Sequence, residues 1–254
     1  MTSIAIRQRV TALISVSSLI GLFVYAGIYG EWMLVLWSYL YYKIVIGMFG
    51  NQIAQHRYFS HMGFKTTRPK EIFLYCVALT TGINPLTYAL GHRHHHKYSD
   101  TARDRHSHYN KFTDIFSPIL LNGKAEIDLG CYPKELSKKF QTLEKFQWHI
   151  ITAYLTVATL ISWKFLVFFV LAGVAWNYIH MVLFRVLLVH HKLPGSYINF
   201  NTNDQSWNNK FIQLLDWGEG LHNNHHRYPN RYDQAIKPDE FDPVGWLVKK
   251  IFVI

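Results

Sequence analysis

Long apolar runs alternate with long polar segments along the chain. A helix that spans a membrane needs roughly 20 predominantly apolar residues, and segments 10–29 and 32–50 fit that length. Residues 147–189 form a double-length apolar run that is interrupted at 162–164. This run predicts two further spans, 147–162 and 165–189, joined by a tight turn. The pattern therefore predicts about four transmembrane helices.

A fifth apolar run, residues 71–90, contains Gly82 and Pro85. Irregular backbone is tolerated at membrane depth where protein covers it, so this run is predicted to be a segment only partly buried in the membrane. The fold class that follows is an all-α integral membrane protein in a single domain, 1–254, whose cytoplasmic helices form a cap.

The positions of Lys and Arg predict the orientation, because cytoplasmic segments next to membrane spans are enriched in positive charge. Arg7 and Arg9 precede the first apolar run, and segments 51–146 and 190–254 hold most of the other positive charges. The turn at 28–31 has neither Lys nor Arg. Both termini and both polar segments are therefore predicted to be cytoplasmic. The first run lacks a small-residue cleavage site after it, so we expect it to remain as a span.

Composition agrees with a membrane protein, since only 17% of the residues are charged against about 25% in soluble domains. The net charge of +10 predicts contact with anionic lipid head groups or an acidic partner. Nucleic acid is not predicted, because no nucleic-acid motif accompanies the charge. Cys76 and Cys131 lack the spacing of a thiolate metal site or a disulfide framework.

Fifteen histidines are the unusual feature of the composition. Eight of them fall into three clusters, and two clusters repeat the pattern H-x-x-H-H. On an α-helix, with about 100° per residue, this spacing places three imidazoles on one face, while His94 points away. The remaining cluster, the first along the chain, has the spacing H-x4-H, so its members flank one site or serve two metals. The clusters are His56 and His61; His92, His95 and His96; His222, His225 and His226.

Imidazole is a ligand for iron, copper, zinc and nickel. Eight imidazoles exceed what one metal ion accepts, so the clusters predict a dinuclear centre. The scarcity of thiols argues against an iron–sulfur cluster, and the clusters lack the glutamate of an H-E-x-x-H zinc site. Clusters of this regularity also disfavour histidines that merely decorate a polar surface.

The segments HRYFSH, HRHHHK and GEGLHNNHH resemble the three histidine boxes of the acyl desaturase family of membrane di-iron enzymes. Three other segments, KYSDTARDRHS, NDQSWNN and EFDPVGW, are similar to further stretches of that family. The likeness extends from about Gly47 to Trp246. The resemblance implies two iron ions, in the Fe2+ and Fe3+ states, held by the eight clustered histidines and a ninth.

Alignment of LLVHH with the family's Asn-Ser-x-x-His pattern selects His191 as that ninth ligand, with His190 as the alternative. Leu187 stands where the family has an Asn that completes the metal shell through water. Among the acidic residues near the ligands, Asp104 and Glu219 are the first choices for orienting the imidazoles. By analogy with the family, Leu40 and Ile44 are candidates for the closed end of the substrate tunnel, although a lipid-facing or packing role is favoured for both.

The activity implied is a dioxygen-dependent desaturation that leaves a cis double bond, expected at Δ9, in an acyl chain carried by CoA, a carrier protein or a lipid. Leu90-Gly91 replaces the Arg-Asp of acyl-CoA enzymes, so a CoA head group is not supported, and a lipid or a carrier protein is equally open. The electrons are expected from a separate acidic carrier of the ferredoxin, rubredoxin or cytochrome b5 type.

A hydroxylase and a membrane metal transporter are the alternative functions. A hydroxylase on the same scaffold can share the first hydrogen abstraction, and the ligand set does not separate it from a desaturase. A membrane metal transporter is less favoured, because transporters place their ligands inside the spans near the bilayer midplane, whereas these clusters lie in or beside polar segments.

Overall fold

The structure, a computed structural model, describes residues 3–104 and 127–254. Part of the predicted cytoplasmic segment 51–146, residues 105–126, lies outside the described residues. Within the described part the fold is all-α, as predicted, with two isolated β-bridges at Asn208. The helices are α1 Ser3–Tyr29, α2 Trp32–Ser60, α3 Arg68–Leu79, α4 Pro85–Tyr98, α5 Lys134–Lys139, α6 Gln141–Ile161, α7 165–188, α8 Lys210–Asp216, α9 His222–Arg227 and α10 Pro243–Ile251.

Three helices in the described part of the chain are long and apolar enough to cross a membrane: Arg7–Tyr29, Trp32–Ser60 and Phe165–Phe184. They coincide with three of the four predicted spans. The remaining one, 147–162, forms most of α6, whose first turns carry polar and charged residues that reduce its mean hydropathy. The outer faces of α1 and α6 are nonetheless apolar, as Leu13 (70% exposed) and Leu160 (80%) show.

Helix α2 is the central element of the fold. It is α-helical over Trp32–Tyr41 and continues with π-type hydrogen bonds over Tyr42–Ser60, in which each N–H reaches the carbonyl five residues back. Every residue from Gly50 to Ser60 is buried. Gly50 permits the close approach of α3, since a Cβ atom there would lie 2.8 Å from the Val77 carbonyl oxygen.

The predicted segment 71–90 is a hairpin of two helices, because α3 ends before Gly82 (φ 80°) and α4 begins at Pro85. Gln55 of α2 holds the turn by donating to the Thr81 hydroxyl (2.7 Å) and the Ile83 carbonyl (2.8 Å). Asn84 caps α4, since its side-chain oxygen accepts from the next two free backbone amides. The hairpin thereby returns the chain to the polar end of α2.

A buried ion pair joins α2 to α10. The Arg57 guanidinium donates to both carboxylate oxygens of Asp242, at 3.2 and 3.0 Å, and both side chains are almost fully buried. Asp242 also caps α10 by accepting from the Gly245 amide (2.9 Å). Burial raises the pKa of Asp242 above its usual value, although the Arg57 charge opposes that shift.

We expect Asp242→Ala to lower the free energy of unfolding by about 3–5 kcal/mol, because it leaves the Arg57 charge buried without its partner. Thermal unfolding of the detergent-solubilised protein measures the effect. The matched control is Asp239→Ala, which breaks the exposed pair between Lys210 and Asp239 and should leave the unfolding midpoint unchanged. Equal behaviour of the two variants would show that the buried pair does not stabilise the fold.

Candidate metal centre

Nine histidines form two compact groups with ligand nitrogens within 4.8 Å of one another in each group. The first group holds five rings and the second holds four, and most of these residues are buried. The first group is His56, His61, His92, His96 and His225; the second is His95, His190, His222 and His226.

The π-type hydrogen bonding of α2 brings His56 and His61 into one group. On an α-helix, residues five apart point about 140° away from each other, which left their relation open in the sequence. With i→i+5 bonding the side chains five apart lie on the same side, and the two rings are 5.1 Å apart. Both therefore belong to the first group.

Each H-x-x-H-H pattern is divided between the two groups. In α4, His92 and His96 are four residues apart and belong to the first group, whereas His95 belongs to the second. In α9 the assignment is reversed: His222 and His226, four residues apart, belong to the second group and His225 belongs to the first. The rings of His96 and His226, one from each group, lie 4.4 Å apart. This arrangement places two four- to five-nitrogen sites side by side.

The Nε2 atoms converge at distances that suit bound metal ions. The Nε2 atom of His225 lies 2.9 Å from those of both His56 and His96, and the Nε2 atoms of His190 and His222 are 3.0 Å apart. Two nitrogens that bind one metal at about 2.1 Å and at a right angle lie about 3.0 Å apart. The spacing therefore matches neighbouring ligands of one ion.

Carboxylates face the Nδ1 atoms on the other side of the rings. Glu219 lies between the groups, with its oxygens 2.7 Å from His56 Nδ1 and 3.3 Å from His222 Nδ1. Asp104 lies 2.9 Å from His95 Nδ1. These are the two acids that the sequence favoured for orienting imidazoles, a role that carboxylates commonly have around metal-bound histidine.

Two further carboxylates have the same relation to ligands, although the sequence gave them no priority. Asp100 lies 3.0 Å from His190 Nδ1, and Asp204 lies 2.7 Å from His226 Nδ1. Asp100 lies four residues after His96 in the sequence, but folding alone brings it to His190, as it brings Asp204 to His226. Both acids were second choices in the sequence, and their positions within the motifs KYSDTARDRHS and NDQSWNN were a usable signal.

The orientation of the rings favours a cation between them. His190 and His222 each direct Nδ1 toward a carboxylate, and a neutral imidazole that donates from Nδ1 presents a lone pair on Nε2. Two lone pairs 3.0 Å apart repel each other unless a positive charge lies between them. The residues present therefore fit a metal ion at each group.

Five of the rings carry no extra proton near neutral pH, whereas at His95 the effect of burial is outweighed by the charge and hydrogen bond of Asp104, which raise its pKa. Burial, followed by the charges of neighbouring histidines, lowers the pKa of His92, His96, His222 and His225 well below the usual value, because both penalise the imidazolium form. Burial also lowers the pKa of His226 to about 4, although Asp204 opposes the shift. These rings are neutral at pH 7, which is the form that binds metal.

The structure differs from the sequence expectation at the ninth histidine. His190 is 2% exposed and belongs to the second group, whereas His191 is exposed and its Nδ1 lies 2.5 Å from the Leu187 carbonyl oxygen. Both residues lie in the turn that follows the end of α7 at residue 188, and this turn directs only His190 toward the site. The π-type bonding over Met181–Leu188 sets this register, and the alignment of a short motif did not reveal it.

A polar network fixes α9 in place. The Asn224 amide donates to Glu240 (2.8 Å) and to the Gln234 carbonyl (2.9 Å), and its oxygen accepts from Asn199 and Asn208, both at 2.8 Å. The motifs NDQSWNN and EFDPVGW thus meet at the helix that carries His222, His225 and His226. Both motifs are visible in the sequence as part of the family resemblance, but the sequence does not show that they hold a helix in position.

A cavity of about 1240 Å³ leads to the centre between α1, α3, α4, α6 and α7, and His92, His95 and His222 are in its wall. The rest of the described lining is mainly apolar. Leu40 and Ile44 are not among the described lining residues, contrary to the analogy with the family, and Ile44 is 44% exposed. The lining comes from the helices packed beside α2, so the face of α2 that carries Leu40 and Ile44 does not reach it.

A family model described as fatty acid desaturase matches residues 34–236. The icosanoyl-CoA 5-desaturase of Limnanthes douglasii is 27% identical over 90% of this chain and 65% of its own length. The acyl-CoA C20 Delta5-desaturase of Anemone leveillei is 31% identical (81% and 67%) and the sn-1 stearoyl-lipid 9-desaturase of Anabaena variabilis 28% identical (88% and 82%). The chain thus spans about two thirds of the first two relatives.

Replacing His190 should weaken metal binding at the second group, while replacing His191 should not. We expect His190→Ala, loaded with Fe2+, to retain about half of the metal bound by the unchanged protein, because one of two sites loses a direct ligand. Elemental analysis after removal of loosely bound metal measures this. Normal metal content in His190→Ala, with loss in His191→Ala, would restore the assignment made from the sequence.

Proposed function

Because the chain belongs to the fatty acid desaturase family, we propose that it introduces a double bond into an acyl chain at a pair of iron ions. The observation that carries the proposal is the junction of two histidine groups with the end of a long apolar cavity. Such a junction brings an unreactive hydrocarbon chain to a metal centre and keeps water away from both.

The first group would hold one iron and the second group the other, with Asp100, Asp104, Asp204 and Glu219 orienting the rings. When bound, the iron pair supplies the dioxygen chemistry that abstracts hydrogen from an unactivated methylene. The carboxylates hold the imidazoles aligned, and the cavity wall fixes which methylenes lie next to His92, His95 and His222. No nucleophile from the protein is required.

The proposed product is a cis double bond, with Δ9 as the position to test first. Support for Δ9 comes from the similarity to sn-1 stearoyl-lipid 9-desaturases, while other relatives are named as 5-desaturases. The position depends on how far the acyl chain reaches past the histidines. That distance is set by the site that holds the acyl carrier.

Leu90 and Gly91, which replace the Arg-Asp of acyl-CoA enzymes, line the cavity next to His92. They offer no charge to the phosphates of CoA, which supports a lipid or a carrier protein as the acyl carrier. The electron donor is proposed to be a separate acidic protein of the ferredoxin, rubredoxin or cytochrome b5 type. A second cavity, about 570 Å³, reaches His61 and His96 and has Arg93 and Lys97 in its wall, which suits an acidic partner.

Product analysis tests the activity. Cells that express the chain should accumulate monounsaturated acyl chains, and the variant His225→Ala/His226→Ala should abolish them, because it removes a ligand from each group. Gas chromatography with mass spectrometry locates the double bond. Hydroxylated chains would assign a hydroxylase instead. A desaturase consumes oxygen only when the acyl substrate and the electron donor are both present. Metal transport without such oxygen consumption would show that the chain is not an enzyme of this class.

The far end of the cavity should set the acyl chain length. Tyr154 lines the cavity on α6, and its hydroxyl bonds that of Tyr41 on α2 (2.6 Å), so we propose that this pair forms the end of the cavity on the side of α2. We expect Tyr154→Ala to shift products to longer chains, with a preference of roughly fourfold for each extra buried methylene.

The matched control is Leu40→Ala, which changes a residue outside the described cavity lining and should leave the product profile unchanged. The opposite pattern, longer products from Leu40→Ala alone, would support the tunnel end expected from the sequence.

A further inference from the structure

The two histidine groups differ in the negative charge that surrounds them. Three carboxylates contact the second group alone, through the Nδ1 atoms of His95, His190 and His226. Glu219 is shared, because one of its oxygens faces the first group and the other faces the second. Within residues 3–104 and 127–254, no carboxylate other than Glu219 contacts a ring nitrogen of the first group. The three acids of the second group are Asp100, Asp104 and Asp204.

These three acids are held as negatively charged carboxylates. Each accepts a hydrogen bond from a backbone amide in addition to facing an imidazole, and hydrogen bonds to a carboxylate favour its charged form. The amide donors are Gln205 to Asp100 (2.7 Å), Asp100 to Asp104 (3.1 Å) and Ser206 to Asp204 (2.9 Å). The second group therefore has three negative charges of its own, whereas the described part of the chain gives the first group only its share of Glu219.

This difference in charge affects the oxidation state that each group favours. The first group offers five neutral rings and the second offers four, and a carboxylate behind a ring also makes that ring a stronger ligand. A nearby negative charge stabilises Fe3+ more than Fe2+, since the Coulomb energy is proportional to the charge of the ion. At an effective dielectric constant of about 20, one such charge at roughly 7 Å changes the ratio of Fe3+ to Fe2+ by about fiftyfold. The second group therefore suits Fe3+ better than the first group does.

The two groups also differ in access from the protein surface. The cavity of about 570 Å³, whose wall contains two positive side chains, is lined by His61 and His96, which both belong to the first group. No ring of the second group is among the described lining residues of this cavity. The second group instead lines the larger, apolar cavity through His95 and His222. An acidic electron carrier at the smaller cavity would therefore meet the first group.

From these differences we infer that the two groups have separate redox roles: the first group receives electrons from the carrier, and the second group holds the iron that is oxidised more readily. The inference rests on the proposed function and adds the order of electron transfer. One electron reduces Fe3+ at the first group to Fe2+ and leaves the carrier oxidised by one electron, with no bond made or broken. A second electron reduces the second group, whose ring of His226 lies 4.4 Å from that of His96.

Redox titration of the purified protein, loaded with two ions of the Mössbauer-active iron isotope, tests the difference between the groups. Mössbauer spectra should show two separate oxidation steps. Variants that keep one iron assign the steps, because His190→Ala leaves the first group intact and His61→Ala/His92→Ala leaves the second. The iron in His61→Ala/His92→Ala should be oxidised at the lower potential. Equal potentials, or the reverse order, would overturn the inference.

Charge-removing substitutions test the cause of the difference. Asp204→Asn keeps an acceptor oxygen, so it should lower the ratio of Fe3+ to Fe2+ in the second group at least about tenfold at a fixed potential and leave the first group unchanged. Glu219→Gln should shift both groups. The matched control is Glu71→Gln, which should shift neither, because this buried acid bonds to Tyr58, Arg68 and Lys139 rather than to a histidine. Equal shifts of both groups in Asp204→Asn would contradict the assignment.

Rapid mixing with dithionite tests where electrons enter and requires no acyl substrate. This anion stands in for the acidic carrier. Starting from Fe3+, the iron in His190→Ala should be reduced several times faster than the iron in His61→Ala/His92→Ala. Lys97→Gln, in the wall of the smaller cavity, should slow the faster reaction, whereas Lys145→Gln, an exposed position outside that wall, should not. Equal rates in the two variants that keep one iron would overturn entry at the first group.

The results separate this inference from the proposed function. Two bound irons with equal potentials, in a protein that still forms monounsaturated acyl chains, would overturn the redox roles and leave the desaturase proposal standing. Failure of the unchanged protein to bind iron would remove the metal centre on which both proposals rest.

Discussion

Neutral imidazoles packed edge to edge in a buried space impose the main constraint on this structure. Nine rings supply the two groups, and neighbouring Nε2 atoms approach to about 3 Å. Burial lowers the pKa of His92, His96, His222, His225 and His226 and keeps these five rings uncharged. The lone pairs of adjacent neutral rings repel one another until cations occupy the space between them. The fold must therefore hold the rings against that repulsion before any metal binds.

The carboxylates and the helices around the centre perform this task. Asp100, Asp104, Asp204 and Glu219 each fix the Nδ1 side of at least one ring, and fixed rings lose little freedom when a metal binds. Helix α2 supplies the first cluster and also anchors α10 through the ion pair of Arg57 and Asp242. The asparagine network on Glu240 holds α9 from the opposite side. Residues far from one another in sequence thereby support a single centre.

Under the proposed function, the position of the metal centre at the end of the cavity lets an acyl chain reach it. The histidines lie where α2 and α4 end, and the apolar cavity extends from them into the helix bundle. An acyl chain in this cavity exchanges bilayer for protein at little cost in hydrophobic free energy, because both surroundings are apolar. Under the proposed function, selectivity for the acyl chain then depends on the shape of the cavity wall.

The sequence by itself determined the family, the all-α membrane architecture and the residue types of the centre. Membrane spans are recognised from length and composition, and histidine clusters keep their spacing whatever the fold. The same locality explains why Asp104 and Glu219 were accessible to sequence reasoning, since each lies close in sequence to a histidine cluster.

Only the tertiary structure decided how the rings are shared. Helical spacing shows which residues point together from one helix, but the partner that they meet depends on packing between helices. For this reason the division of each H-x-x-H-H pattern, with His95 in one group and His92 in the other, could not be predicted. The choice of His190 over His191 and the position of the cavity wall away from Leu40 likewise depend on the register of π-type bonds and on helix packing, which short-range spacing does not specify.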